Sequence, residues 1–214
     1  GYVGLISGLC LCELGHQVVC VDVDEDKIKK LNNGIPTIYE DGLEELLKKH
    51  LAEGNVSFTS SLEKALSDAK VLINAVGTPP DKNRKADLKY VKQVAKDTAE
   101  LIDHELVFVN KSTVPVGTAE MVHSIIEKNK KSDCLVHIAS NPEFLREGVA
   151  IEDFMNPDRI VIGTDSEYAK DTLVELYTPL TERGVPLVLT NTKSSELIKY
   201  AANSFLAIKL SFIN

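Results

Sequence analysis

The chain has 214 residues, 43% of them hydrophobic and 26% charged, a balance that suits a soluble globular protein with one full domain and an appendage, or two small domains. A net charge of −8 with no basic stripe argues against a nucleic-acid partner, which calls for phosphate-tracking cations. No apolar run approaches the roughly 20 residues that span a bilayer and no signal-peptide pattern opens the sequence, so the expectation is a cytoplasmic protein with no membrane partner.

Cys10, Cys12, Cys20 and Cys134 sit in or beside apolar runs and read as buried reduced thiols. Cys10 and Cys12 have no second Cys or His pair nearby, so no metal site is expected. The sequence opens at Gly1 without a methionine and stops at Asn214 within a helical pattern; both ends read as cut.

In chain order, helical patterns cover Tyr2–Leu14, Asp24–Asn33, Gly42–Glu53, Ser61–Ser67, Asp87–Ile102, Thr118–Lys130, Ser166–Leu180 and Thr192–Asn214. Between them β-branched apolar runs predict strands near Gln17–Val23, Val56–Thr59, Val71–Val76, Leu106–Asn110, Leu135–Ser140, Arg159–Gly163 and Leu187–Thr190. Runs that are apolar at nearly every position belong to strands covered on both faces. Alternation with helices then predicts an α/β fold, a doubly wound parallel sheet with right-handed crossovers, spanning residues 1–190. The last helix, residues 191–214, spreads Leu197, Ile198, Ala201, Phe205, Leu206, Ile208 and Leu210 over more than one face. It therefore reads as the start of a connecting helix awaiting a further domain or a second subunit.

The opening Gly1-Tyr2-Val3-Gly4, a helix, and a strand ending in Asp22 match the later part of a dinucleotide fingerprint. Glycines let backbone approach a pyrophosphate at a helix N-terminus, and an acid about 20 residues on accepts ribose hydroxyls. A carboxylate there repels a 2′-phosphate, so NAD is favoured over NADP. The first glycine and the strand before it are missing, and a plain glycine turn would read the same alone. Lys27 falls one turn into the next helix on the side of Asp22, near the adenosine ribose or simply in solvent.

Gly77-Thr78-Pro79-Pro80 and Lys111-Ser112-Thr113-Val114-Pro115-Val116-Gly117 each follow a strand, where ligands of open parallel sheets bind. Both also pass as ordinary turns. Asn141-Pro142-Glu143-Phe144-Leu145-Arg146-Glu147-Gly148 follows another strand. A helical turn there would put Glu143 and Glu147 on one side, a pair suited to water activation or sugar binding; a solvated acidic helix start is the alternative. Lys199 and Asn203 share one face of the last helix, where they could stabilise a developing oxyanion or, for Lys199, snorkel to solvent.

Together the segments G-Y-V-G-L, V-D-V-D, V-G-T-P, K-S-T-V-P-V-G, S-N-P-E-F-L-R-E-G, N-P-D-R-I-V-I-G and S-S-E-L-I-K-Y-A-A-N-S-F-L-A resemble the UDP-glucose 6-dehydrogenases of the UDP-glucose/GDP-mannose dehydrogenase family. The resemblance implies NAD-dependent oxidation of UDP-glucose to UDP-glucuronate in two hydride transfers, and a homodimer. By analogy Gly1, Tyr2, Val3, Gly4, Asp22, Lys27, Thr78, Thr113 and Glu147 hold NAD. Glu143, Phe144, Leu145, Arg146, Glu147, Lys199 and Asn203 bind the sugar nucleotide, while Thr113, Glu143, Glu147, Lys199 and Asn203 serve catalysis. The family's nucleophilic cysteine lies in a glycine-rich segment with no counterpart in these residues, so the chain alone is expected to be inactive and to be the cofactor-binding part of a longer enzyme. A dehydrogenase of GDP-mannose or of a UDP-N-acetylhexosamine, or a non-catalytic nucleotide-binding fragment, are the other readings.

Overall fold

A computed structural model describes residues 1–214. The elements run α1 (Tyr2–Glu13), β1 (Val18–Val21), α2 (Glu25–Asn32), α3 (Leu43–Glu53), β2 (Val56–Thr59), α4 (Leu62–Leu66), β3 (Val71–Asn74), α5 (Lys89–Leu101), β4 (Leu106–Asn110), α6 (Thr118–Asn129), β5 (Val136–Ser140), α7 (Ala150–Met155), β6 (Ile160–Thr164), α8 (Glu167–Leu176), α9 (Thr178–Thr181), β7 (Leu187–Thr190) and α10 (Thr192–Ile213). All seven predicted strands are present. Helix starts follow local chemistry: Asp24, Ser61, Ser166 and Asn191 each accept a backbone amide of the first turn, satisfying donors that the helix leaves open. The predicted helix over Ser166–Leu180 divides into α8 and α9 because Pro179 lacks an amide to continue the ladder.

β1 and β2 form one parallel ladder; β3, β4, β5, β6 and β7 form another in that spatial order. Every residue of β4 is buried, as befits the strand with helices over both faces. Val107 and Val109 join the core shared with α1, α3, α7 and α8, while Leu106 and Phe108 join the core under α5 and α6. This is the two-sided burial that the continuous apolar runs predict.

One pairing corrects the expectation of an all-parallel sheet: β6 meets β5 antiparallel, with Ser140 opposite Gly163 and Ala139 opposite Thr164. A parallel return needs a crossover of a dozen or more residues over the face of the sheet. Residues 141–148 instead carry no helix, and the short α7 packs on α1, so the chain re-enters from the edge it left. The two glutamates of this segment are accordingly not presented by a helical turn. α10 then lies across β6 and β5. Gly163 makes this possible, since a Cβ there would lie 2.3 Å from the Ser195 Cβ and 2.6 Å from the Asn191 carbonyl oxygen.

Candidate functional site

The carboxyl edge of β1 and β3–β5 gathers most of the residues that the sequence singles out. At one end α1 begins at Gly1 with no side-chain cap, leaving amides of its first turn open, and the space beside the Gly1 α-carbon is free of other atoms within 4 Å. The glycine that seats α1 on its strand is Gly8, where a Cβ would meet the Cys20 Sγ at 2.7 Å. At Gly4 a Cβ would lie 3.5 Å from the Ala75 Cβ, an ordinary clearance. Asp22 closes β1 beside this turn, its carboxylate accepting the Asp24 amide at 3.0 Å. Lys27 lies 4.0 Å from Asp22 and 3.7 Å from Asp24, on the predicted side of α2. An uncapped helix N-terminus, open space over a glycine and a carboxylate beside both are what a dinucleotide requires, and the residues fit NAD.

The next two edge loops are tied together. Thr78 donates its hydroxyl to the Thr113 carbonyl at 2.8 Å, and Ser112 donates to the Val76 carbonyl at 2.7 Å. Thr113 is thus fixed through its backbone.

The segment after β5 meets α10. Glu143 accepts Lys199 Nζ at 3.0 Å through one carboxylate oxygen and the Leu145 amide at 2.6 Å through the other. Their side chains are 14% and 8% exposed, so this is a largely desolvated ion pair, in which each charge depends on the other. Phe144 lies beneath both the Arg159 guanidinium, 4.5 Å from the ring centroid, and Lys199 at 5.3 Å, a cation–π arrangement that holds the ring in place. Leu145 packs against the core of α1.

Other predicted residues stand apart from this pair. Arg146 turns to α7 and holds Asp153 with two bonds, at 2.6 and 3.1 Å. Glu147 is exposed, yet close enough to Tyr2 to contribute to the rise of its phenol. Burial and the Glu40 hydrogen bond lead that rise, to about 12. Val3 is half-buried in the first turn of α1, and Asn203 is exposed one turn beyond Lys199.

Four further residues shape the site and were not picked out from the sequence. Lys111 is buried, donates to the Asn141 side-chain oxygen at 3.1 Å and lies 5.6 Å from the Phe154 ring centroid. Burial pushes its ammonium down to about 8; Glu143 opposes this shift and Lys199 adds to it. Asn141 also accepts the Tyr177 hydroxyl at 2.6 Å and donates to the Val161 carbonyl at 2.8 Å, so the segment leaves β5 at a fixed angle. Glu40, on the loop before α3, accepts the Tyr2 hydroxyl at 2.6 Å and the Gly148 and Ala150 amides at 2.9 and 2.6 Å. It joins the first turn of α1 to the far end of the Asn141–Gly148 segment. Glu196 accepts the Gly117 and Ala119 amides. A signal for Lys111 existed: it continues the alternation Val107, Val109 on one face of β4. Glu40 and Glu196 act on backbone amides of distant segments, which no local pattern shows.

Residues 1–181 match the family model described as the UDP-glucose/GDP-mannose dehydrogenase family, NAD binding domain. The chain belongs to that family. Over its whole length it is 49% identical to the UDP-glucose 6-dehydrogenase TuaD of Bacillus subtilis, of which it covers 46%. A UDP-glucose dehydrogenase structure from Pyrobaculum islandicum superposes with a TM-score of 0.96 at 42% identity, covering 100% of this chain and 50% of the other. A GDP-mannose dehydrogenase structure from Pseudomonas aeruginosa gives 0.92 at 36% identity, covering 99% of this chain and 49% of the other. The chain spans about half the length of the curated relatives it matches. It is a Rossmann-like NAD-binding domain of this dehydrogenase family, and no helix in it is long and apolar enough to cross a membrane.

Proposed function

We propose that the full-length protein carrying this chain oxidises UDP-glucose at C6 to UDP-glucuronate, with these residues forming its NAD site and one wall of its sugar-nucleotide site. The observation that carries this reading is the desolvated Glu143–Lys199 pair, 3.0 Å apart, formed by the segment that follows β5, while the turn at Gly1 to Gly4 approaches the end of β3 at Ala75 on the same carboxyl edge. Bound NAD would accept hydride from C6 in each of two oxidations. Gly1 to Gly4 would hold its pyrophosphate and Asp22, with Lys27, its ribose; Thr78 and Thr113 would line the nicotinamide end.

Lys199 is a preorganised donor for negative charge that develops on the C6 oxygen, and Glu143 beside it accepts the proton of an alcohol or water. Phe144, Leu145, Arg146 and Glu147 would line the sugar-nucleotide pocket, with Glu147 also reaching the cofactor, and Asn203 would hold sugar hydroxyls from the same helix as Lys199. Reaching a carboxylate through a thioester needs a thiolate. Burial pushes Cys10, Cys12 and Cys20 up to about 12, 11 and 12, and Cys134 precedes β5 at the opposite edge, so the thiol would come from the rest of the enzyme. The exposed apolar residues Phe205, Leu206, Ile208 and Leu210 of α10 support a homodimer in which residues 191–214 begin a connecting helix. The test is NADH formation by the purified full-length protein with UDP-glucose, at two NADH per UDP-glucuronate. Turnover with GDP-mannose or a UDP-N-acetylhexosamine alone would move the substrate assignment, and NAD binding without any turnover would leave only the cofactor domain.

A further inference from the structure

α10 has an inverted polarity. The side chains that it buries are Thr192, Ser195, Glu196 and Lys199, at helical spacings of three and four that place them on one face, whereas Leu197, Phe205, Leu206, Ile208 and Leu210 are exposed. Three of the buried four reach the carboxyl ends of two strands, β5 and β4. The Ser195 hydroxyl contacts the Ser140 carbonyl and hydroxyl, each at 3.1 Å, at the end of β5. Glu196 Oε2 accepts the Gly117 amide at 2.6 Å and Oε1 the Ala119 amide at 2.7 Å, where the loop after β4 becomes α6. Lys199 meets Glu143 in the segment after β5.

From this we infer that Glu196 is a positioning residue for the reaction proposed above, on which the inference rests. It clamps α10 to the loop carrying Thr113, so that Lys199 one turn on is delivered to Glu143. Both carboxylate oxygens are engaged by amides at the first turn of α6, whose N-terminal residue Gly117 has no side chain of its own to cap it. Burial pushes the Glu196 carboxyl up and the Ala119 and Gly117 amides oppose that rise; when it is ionised, the helix N-terminus favours its charge and both bonds are charge-assisted, stronger than neutral ones. Glu196 is 2% exposed, so water does not compete for either amide. If α10 rotates or slides, the Glu196 carboxylate loses both donors and Lys199 loses its carboxylate together. Thr113 and Lys199 are thereby held in a fixed relation by a residue that touches neither.

The test uses the full-length enzyme with Glu196→Gln, which keeps the shape but offers one acceptor oxygen for two amides. Turnover with UDP-glucose is measured per NAD-binding site, the sites being counted by calorimetry. The expected result is a fall in kcat of about 10- to 100-fold, the scale of a misplaced catalytic group, with the NAD dissociation constant changed by less than about twofold. A purely structural role would reduce the number of binding-competent sites and leave kcat per site unchanged; that result overturns the inference.

Amide exchange in the unsubstituted enzyme supplies a second readout should the variant not fold. Gly117 and Ala119 are expected to exchange at the rate of the α10 amides over residues 195–199, and independent, faster exchange refutes the clamp. An unsubstituted enzyme that turns over no sugar nucleotide refutes the proposed reaction, and the exchange experiment then decides the clamp by itself.

Discussion

Replacing Lys111 by methionine tests the electrostatics of the lysine buried just past β4. The ammonium is 4% exposed with one hydrogen-bond acceptor, the Asn141 side-chain oxygen at 3.1 Å. Burial lowers it from 10.5 to about 8. Below pH 8 the lysine is charged in both folded and unfolded chains, and the folded state bears the full cost of the buried charge. Between pH 8 and 10.5 the folded state releases the proton while the unfolded chain keeps it, so stability rises with pH. A fall from 10.5 to about 8 corresponds to about 3 kcal/mol at most, and near pH 9 to roughly 1 kcal/mol per pH unit.

Other groups pull the opposite way over the same range. Cys10, Cys12, Cys20 and Tyr2 are raised by burial, to about 12, 11, 12 and 12, and destabilise the folded state as alkali ionises them in the unfolded chain. The informative quantity is therefore the difference between the two proteins, from urea unfolding of full-length wild type and Lys111→Met at several pH values between 7 and 11. The methionine variant should be relatively most stable at pH 7, and its advantage should shrink by about 3 kcal/mol by pH 11. Curves that stay parallel would show that Lys111 is solvated or paired in the folded protein and refute the reasoning.

Glu40→Gln should lower the melting temperature by several degrees, because a single amide oxygen replaces a carboxylate that serves Tyr2, Gly148 and Ala150. Burial raises the Glu40 carboxyl, but its hydrogen bonds more than offset this and hold it below 4.5. Its contribution is thus complete above pH 4.5 and is lost as pH falls through the lower folded value; melting curves at pH 3 to 7 should show a flatter acid limb for the variant. Asp22→Asn should weaken NAD by about tenfold and narrow the preference over NADP, through loss of a charged acceptor for the ribose; calorimetry with both cofactors measures it, and unchanged discrimination would count against Asp22. Lys199→Met leaves the Glu143 carboxylate without its cation and should reduce UDP-glucose turnover at least ~100-fold with NAD affinity within about twofold, measured by NADH formation and calorimetry.

Much of this fold is written in the local pattern. Val71 to Asn74 and Leu106 to Asn110 are apolar enough to announce buried strands, and Asp22 could be placed because its strand and the glycine turn are adjacent in sequence. α7 escaped because six residues with two acids carry too little period to register. The split at Pro179 escaped because the apolar spacing runs on through it, although proline supplies the reason for the break. The direction of β6 is absent from its composition, since a strand reads the same whichever way its neighbours run. For the same reason the spacing of Glu143 and Glu147 suggested a shared helical face that the chain, held at Asn141 and Gly148, does not adopt. Lys199 was legible as a charge in an apolar helix; its partner was not, because the pairing is tertiary.

The reversal of β6 determines which way the last helix travels. Because β6 and β7 run against β5, Thr190 finishes level with Ser140 instead of beyond it, and α10 sets out from that level. It climbs past the strand ends and brings Lys199 up alongside the segment that has just left β5. Had β6 and β7 followed the sense of β3, β4 and β5, the same helix would have descended along the back of the sheet, carrying its lysine away from the loops that need it.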